Sequence, residues 1–119
     1  MNNIFINQDV AKCIFLQLAQ NKYADSLLKS VSLDQIIIEE TIQKNFTSDV
    51  SAGTNKYFFG YFNINLIDNA SKCQLEIGTT DAFVSENFAN VSSFFGISSR
   101  INVTGNVNCN FSGYVVRIN

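Results

Sequence analysis

The sequence contains no histidine, no tryptophan and no proline. Without histidine, the chain cannot build a Ser-His-Asp triad or a Cys-His pair, and it also lacks the commonest zinc ligand. Carboxylates, lysines, tyrosines and cysteines remain as acid–base groups, but they form no catalytic motif. We therefore predict a protein that is not an enzyme and that has no catalytic residue, no metal site and no cofactor.

Positive charge is scarce as well, since eight lysines and arginines stand against ten acidic residues, without a basic run. Phosphate binding depends on clustered Lys and Arg, so we expect no nucleic-acid partner. No apolar stretch approaches the roughly 18 residues that a membrane-spanning helix needs. The residues after Met1 show no signal-peptide pattern, so we expect no membrane span and, by default, an intracellular location.

The 119 residues suffice for one domain, and we assign 1–119 to a single domain. Hydrophobic residues make up 46% of the chain, which is typical of a globular core. Charged residues make up only 15%, against roughly 25% in an average soluble domain. A surface of Asn, Ser and Thr in place of charges favours a chain that packs against copies of itself or against a partner.

The first predicted element is a helix from about Gln8 to Val31. Asn7 is a suitable N-cap, and Asp9 lies near the positive end of the helix dipole. Apolar residues recur at helical spacing over this segment. They form a stripe of Val10, Ile14 and Leu18, which is widened by Ala11, Phe15 and Ala19.

The segment from Ser32 to Phe46 carries two conflicting signals. Ser32 and Gln35 have the spacing of a capping box, which indicates a helix start. The three consecutive isoleucines that follow, 36–38, favour a strand instead. We predict a short helix here, followed by a loop over 47–55.

From Lys56 onward the hydrophobic period changes from 3.6 to 2, which predicts a strand over Lys56–Leu66. A second strand is predicted over Lys72–Ile77, where apolar and polar residues alternate. We expect these two strands to form an antiparallel hairpin. The core face of the first strand carries Phe58, Phe62, Ile64 and Leu66.

A second helix is predicted from Asp81 to Phe95, because apolar residues stand at i, i+4, i+7 and i+11 and Gly96 occupies a C′ position. Two strands follow, over Ser99–Thr104 and Val107–Ile118. The alternation in the last strand changes parity at Ser112-Gly113, which indicates a β-bulge. The order is therefore α-(α)-β-β-α-β-β. We predict an α+β fold in which helices pack on one face of an antiparallel sheet of about four strands.

The three cysteines, Cys13, Cys73 and Cys109, form no CxxC motif, so neither a redox motif nor a zinc ribbon is indicated. We expect buried free thiols that behave as small apolar residues. A disulfide between Cys73 and Cys109 is the alternative, and it would imply an oxidising compartment.

The outer face of the predicted sheet combines asparagines with aromatic rings. Asn side chains both donate and accept hydrogen bonds, and an exposed aromatic patch usually marks an interface. Alternatively, a loop or the segment 32–46 covers this face and makes it the other half of the core. The candidate interface residues are Tyr57, Phe59, Tyr61, Asn63, Asn65, Asn102, Asn108 and Asn110.

The low charge, this face and the lack of catalytic motifs predict a non-enzymatic protein-interaction domain. We expect a self-assembling homo-oligomer, or a partner-docking subunit of a larger assembly whose composition suggests a virus or a mobile element. The alternative is a domain that binds a small molecule or a carbohydrate in a pocket between helices and sheet.

Overall fold

In a computed structural model, the described residues form two four-stranded antiparallel sheets and one long helix. The structure describes the backbone of residues 7–22, 26–66, 72–77, 80–86, 92–104 and 107–119. Side chains are described for residues 7–20, 28–63, 95–101 and 108–119. The fold is of the α+β class, as predicted, with antiparallel sheet as its main component.

The eight strands divide between the sheets without following chain order. The first sheet has the order β1-β8-β3-β6, and the second sheet has the order β2-β7-β4-β5. The strands are β1 (Ile36–Phe46), β2 (Val50–Ser51), β3 (Lys56–Leu66), β4 (Lys72–Ile77), β5 (Thr80–Glu86), β6 (Ser92–Ser98), β7 (Arg100–Thr104) and β8 (Val107–Ile118).

The first helix, α1 (Gln8–Lys22), begins at the predicted N-cap. The side-chain Oδ1 of Asn7 accepts hydrogen bonds from the backbone N–H groups of Asp9, at 2.8 Å, and Val10, at 3.4 Å. The predicted extension toward Val31 is helical only in part, because Ser30 and Val31 are not helical and residues 23–25 lie outside the description. A four-residue helix, α2 (Ser26–Lys29), lies in that region.

The buried stripe of α1 consists of Ala11, Phe15 and Ala19, each at most 1% exposed. Val10, which we assigned to the apolar stripe, is 48% exposed. Two alanines, one turn to either side of Phe15, let the helix lie close to the sheet, so the large ring inserts into the core.

The segment 32–46 is mainly a strand, and the predicted short helix is wrong. The capping residues do interact, because the Ser32 N–H donates to Gln35 Oε1 at 2.9 Å. They enclose a single 3₁₀ turn (Leu33–Gln35), and β1 starts directly after it. The β-branched isoleucines of β1 favour extended backbone, and β8 supplies the pairing that this backbone requires.

The predicted helix over 81–95 is also wrong. Strands β5 and β6 occupy the described parts of this segment, and residues 87–91 lie outside the description. Gly96 lies inside β6, opposite Gly60 of β3, and not at a helix end. Of the apolar residues at helical spacing, Val84 lies in β5 and Phe95 lies in β6.

The predicted hairpin of β3 and β4 is not formed, because the two strands belong to different sheets. Strand β3 lies between β8 and β6, and strand β4 lies between β7 and β5. Consecutive aromatic residues explain the position of β3. Tyr57, Phe58 and Phe59 are all at most 3% exposed, so both faces of this strand need cover.

Strand β8 lies between β1 and β3, and its residues 113–116 are buried on both faces. Its pairing with β3 runs without interruption through Ser112 and Gly113, so the predicted bulge there is wrong. The apparent change of parity arises because Phe111 and Tyr114 are buried against opposite faces. The irregularity in the register lies on β1, at Glu39.

Two cores lie on opposite faces of the first sheet. The helix-side core contains Ala11, Phe15, Ala19, Leu28, Val31, Ile36, Tyr57, Phe59, Ile97, Tyr114, Val116 and Ile118. The inter-sheet core contains Phe46, Phe58, Phe62, Ile101, Cys109, Phe111 and Val115. The second sheet covers one face, and α1 covers part of the other, where Leu28 of α2 is also buried. The predicted packing of helices on one face is therefore correct in part.

Gly60 and Gly113 pair directly across β3 and β8. A Cβ at Gly60 would lie 2.4 Å from the Ser112 carbonyl oxygen, and one at Gly113 would lie 2.3 Å from the Phe59 carbonyl oxygen. The two backbones therefore approach each other at a distance that only glycine permits.

A sharp corner connects the two sheets between β6 and β7. The hydroxyl of Ser98, which is 1% exposed, donates to the Arg100 carbonyl oxygen at 2.6 Å. The Ser99 carbonyl oxygen accepts a hydrogen bond from the N–H of Ala52 at 3.0 Å. These bonds satisfy backbone groups where the chain leaves one ladder and enters the other.

Candidate functional site

Part of the helix-side face of the first sheet is polar and is not covered by α1. Residues directly opposite in an antiparallel ladder share a face, as do residues two apart along one strand. Two rows across β1, β8 and β3 follow from the register. The first is Asn45–Asn110–Asn63, the second is Gln43–Ser112–Tyr61, and we call these six residues the polar face.

The polar face forms the wall of an open concavity of about 520 Å³, to which Lys44 and Phe111 also contribute. Gln43 and Asn45 are exposed, while the other members of the polar face are half-buried. Lys44 carries the only charge among the lining residues. Amide side chains donate and accept, so this concavity is suited to uncharged polar groups such as backbone amides or sugar hydroxyls.

Asn108 continues the same face of β8, two residues before Asn110. Its Oδ1 is buried and accepts no hydrogen bond within the described part of the chain. A buried acceptor without a donor costs about 1–3 kcal/mol. Because this acceptor is buried, it adds no accessible hydrogen-bonding group to the polar face.

The structure separates two aromatic residues from the candidate interface that we predicted. Tyr57 and Phe59 are only 2% and 1% exposed, so their assignment to an open surface is wrong. Phe15 of α1 lies over them, with ring centroids 6.4 Å from Tyr57 and 5.3 Å from Phe59. The alternative of a covered face is correct for these residues, although α1 provides the cover.

Of the other predicted interface residues, Tyr61, Asn63 and Asn110 come together on the polar face. Asn108 lies next to them and pairs at Cα with Asn65, whose side chain lies outside the description. Asn102 lies in β7 of the second sheet, opposite Gln74, and its side chain is likewise not described. The single predicted face is therefore divided between two sheets.

Sequence reasoning missed Gln43, Asn45 and Ser112. The first two were placed on a helix, where they would not share a face with β3. Their alternation with Ile42, Lys44 and Phe46 is the signal that a strand assignment would have used.

Strand β1 adds an open edge beside the polar face. It is 11 residues long, pairs with β8 on one side, and stands at the end of the sheet order. Among the described residues no strand pairs with its outer side. Six of the seven residues from Glu39 to Asn45 are exposed, and only Ile42 is half-buried. Alternate residues of an edge strand direct their N–H and C=O groups outward.

A cluster of charges holds the irregular position on β1. The Glu39 carboxylate contacts Lys56 Nζ at 2.8 Å and Arg117 Nε at 2.7 Å. Hydrogen bonds from Lys56 and then Arg117 keep the pKa of the Glu39 carboxyl below its ordinary value. Arg117 also donates to Asn119 Oδ1 at 3.0 Å, which fixes its position.

The cysteines are not grouped. Cys109 is a buried free thiol, as expected, whereas Cys13 is free and exposed, so the expectation of burial is wrong for that residue. Cys73 lies in β4, and its side chain is outside the description.

Comparisons with known proteins identify no relative. The chain matches no family model, no curated protein and no solved structure. In the described part of the chain, no helix is both long and apolar enough to cross a membrane. Function must therefore be inferred from the polar face and the open edge of β1.

Proposed function

We propose that this chain is a protein-interaction domain that accepts a β-strand of a partner along the outer edge of β1. The observation that carries the proposal is the exposed stretch Glu39–Asn45 on a long edge strand. We further propose that this contact makes the domain a non-enzymatic subunit of a larger assembly.

Strand addition uses groups that an edge already presents. The outward N–H and C=O groups of β1 provide affinity through main-chain hydrogen bonds, independent of side-chain identity. Natural sheets usually shorten or cover such an edge, because it also recruits unwanted strands. An exposed edge of this length therefore supports an interface role.

The polar face gives the edge a means of selection. An added strand would direct alternate side chains toward the helix side of the sheet, next to Gln43 and Asn45. Neutral polar side chains of the partner would find donors and acceptors there, while large apolar ones would not. The concavity beside β1 thus favours a partner strand with polar residues at every second position.

Two features limit the length of the pairing. The irregular register at Glu39 interrupts the edge, and the carboxylate there is engaged with Lys56 and Arg117. The usable edge is therefore the stretch Glu40–Phe46, which we call the open edge. Lys44 within it restricts which strands pair, because a cation opposite another cation is unfavourable.

The experiment selects nine-residue peptides from a displayed library on the immobilised protein and maps them by hydrogen exchange. Bound peptides should protect backbone amides within 40–46 and leave those of α1 unchanged. The variant Thr41→Lys/Gln43→Lys, which loads the edge with cations as natural edge strands do, should lose the peptides. The matched control is Gln8→Lys/Gln17→Lys on exposed positions of α1, which should retain them. Protection elsewhere than β1, or equal binding by the edge variant, would contradict the proposal.

A second candidate function is the binding of a neutral carbohydrate on the polar face. The supporting observation is the combination of amides, a hydroxyl and the Tyr61 ring around one open concavity with a single charge. Sugar hydroxyls pair with such amides, and aromatic rings pack against sugar faces.

Titration of neutral oligosaccharides, followed by NMR chemical shifts, tests this second function. Asn110→Asp keeps the shape of the side chain but removes an NH₂ donor, so binding should weaken strongly. Gln20→Glu, the same chemical change on an exposed residue of α1, should have no effect. Shift changes that spare β1, β3 and β8 would exclude the polar face as the site.

A further inference from the structure

We infer that the partner strand at the open edge is β1 of a second copy of this chain, paired antiparallel with Ile42 opposite Ile42. This inference rests on the proposed function and adds the identity of the partner and the register. The evidence is the charge pattern of the open edge, which is complementary to itself in one register.

The charges decide the register. In a two-fold antiparallel pair centred on Ile42, Glu40 of each copy lies opposite Lys44 of the other, and Thr41 lies opposite Gln43. The two copies therefore form two cross-strand ion pairs around an apolar centre. Directly opposed residues share a face in such a pair, so carboxylate and ammonium groups are in reach of each other.

Neighbouring registers lack this complementarity. The register of a two-fold strand pair is defined by the residue that lies opposite its own copy. Each alternative register therefore has a different central residue. A centre on Glu40 places two carboxylates opposite each other, and a centre on Lys44 places two cations opposite each other. Centres on Thr41 or Gln43 leave every charge opposite a neutral residue.

The central residue also fits the inferred pairing. Ile42 is half-buried and packs against the inter-sheet core, so its uncovered part lies at the edge of an apolar region. Opposition of two such side chains would bury both and join the inter-sheet cores of the two copies. The flanking Glu40 and Lys44 are exposed, as partners across an interface must be before association.

The pairing would also connect the candidate sites. The first sheets of both copies would become one continuous sheet with both α1 helices on the same side, because the two-fold axis stands perpendicular to the sheet. The two polar faces would then adjoin across the β1–β1 junction. A self-assembled dimer would present one extended neutral surface in place of two separate ones.

Charge exchange tests the register directly. Sedimentation equilibrium should give a dimer for the wild-type chain, and Glu40→Lys or Lys44→Glu alone should raise its dissociation constant about tenfold or more, since two attractive pairs become repulsive. The double variant Glu40→Lys/Lys44→Glu restores both pairs and should restore the wild-type constant. A mixture of the two single variants should form a heterodimer in which every pair is again attractive.

The control is Lys29→Glu, which makes the same charge change as Lys44→Glu on an exposed residue away from β1 and should leave the constant unchanged. Thermal unfolding of each variant verifies that the fold is retained. If the wild-type chain dimerises and neither single charge reversal changes the dissociation constant, the inferred register is wrong. A wild-type monomer at every concentration would overturn the second copy as partner. If library peptides still protect β1 in that case, strand addition stands; if they do not, it fails as well.

Discussion

The helix-side face of the first sheet has two halves that share strands but not chemistry. In the covered half, α1 lies over Tyr57, Phe59, Tyr114 and Val116, which are at most 3% exposed. In the open half, the same strands β3 and β8 carry Tyr61, Asn63, Asn110 and Ser112 around a concavity. The backbone ladder continues through both halves without a break.

The difference shows that the position of α1, and not the pairing of the strands, determines which part of this face is open to a partner. On β3 and β8 both halves have the same pairing and the same alternation, so the backbone of these two strands does not distinguish them. Apolar residues occur where Phe15 and its neighbours provide cover, and amides occur where nothing described covers the strands. The boundary between the halves is the close pair Gly60–Gly113, one residue from Phe59 and one from Tyr61.

Removal of the helix anchor should have the largest effect on this comparison. Phe15→Ala deletes a ring that is 0% exposed and packs edge-on against Phe59 at 5.3 Å. We expect a loss of about 3–5 kcal/mol in the free energy of unfolding, measured by urea titration. Gln17→Ala on the exposed side of α1 should change stability by less than about 0.5 kcal/mol. Similar losses in both variants would mean that α1 does not cover this half.

A side chain at the boundary should disturb both halves together. Gly60→Ala places a Cβ 2.4 Å from the Ser112 carbonyl oxygen and 2.7 Å from the Gly113 Cα, and neither backbone atom can move alone. We expect a cost of about 1–3 kcal/mol and faster hydrogen exchange of amides in β3 and β8 on either side of the boundary. Tyr61→Phe, at the adjacent position, should leave exchange unchanged. Exchange that rises in only one half would contradict a shared ladder.

The smallest expected effect concerns the irregular position of β1, where the covered half gives way to the open edge. The pKa of Glu39 is lowered by Lys56 and Arg117, so its ion pairs favour the folded state at pH values above the ordinary carboxyl pKa. That contribution is lost as the pH falls through the lowered folded-state pKa. The melting temperature of Glu39→Gln should therefore lie slightly below that of the wild type at pH 7 and approach it toward pH 3.

Glu40→Gln, measured at the same low protein concentration, removes a neighbouring carboxylate and controls for net charge. Because this variant keeps the Glu39 ion pairs, its melting temperature should fall between pH 7 and pH 3 in the same way as that of the wild type. A difference between Glu39→Gln and the wild type that stays constant from pH 7 to pH 3 would mean that the ion pairs do not stabilise the fold.

The sequence allowed prediction of those elements whose local signals agree. The Asn7 cap and the helical spacing around Phe15 identify α1, and the alternation in 56–66 and 107–118 identifies β3 and β8. Local signals conflict in 32–46, where capping residues precede three isoleucines. The cap forms only one 3₁₀ turn because strand pairing with β8, a partner distant in sequence, determines the rest.

Local sequence patterns also could not predict which strands pair or which face of a strand is covered. Tyr57, Phe58 and Phe59 are buried on alternating faces, so a period of two cannot tell which face is the core. Five of the eight predicted interface residues lie on β3 and depended on that choice. The predicted alternation correctly placed three residues on one face, namely Tyr61, Asn63 and Asn110. Gln43 and Asn45 could be added only once the pairing of β1 with β8 was known.

The central position of β8 has a consequence for the order of events during synthesis. Both of its neighbours, β1 and β3, precede it in the chain, and Ile36 pairs with Ile118. A ribosome therefore releases both neighbours well before the strand that joins them, and pairing between such distant segments is slow. Until then the aromatic side chains of β3 have no partner strand in β8. A nascent chain that stalls before residue 107 should be the species most prone to aggregate and most dependent on chaperones.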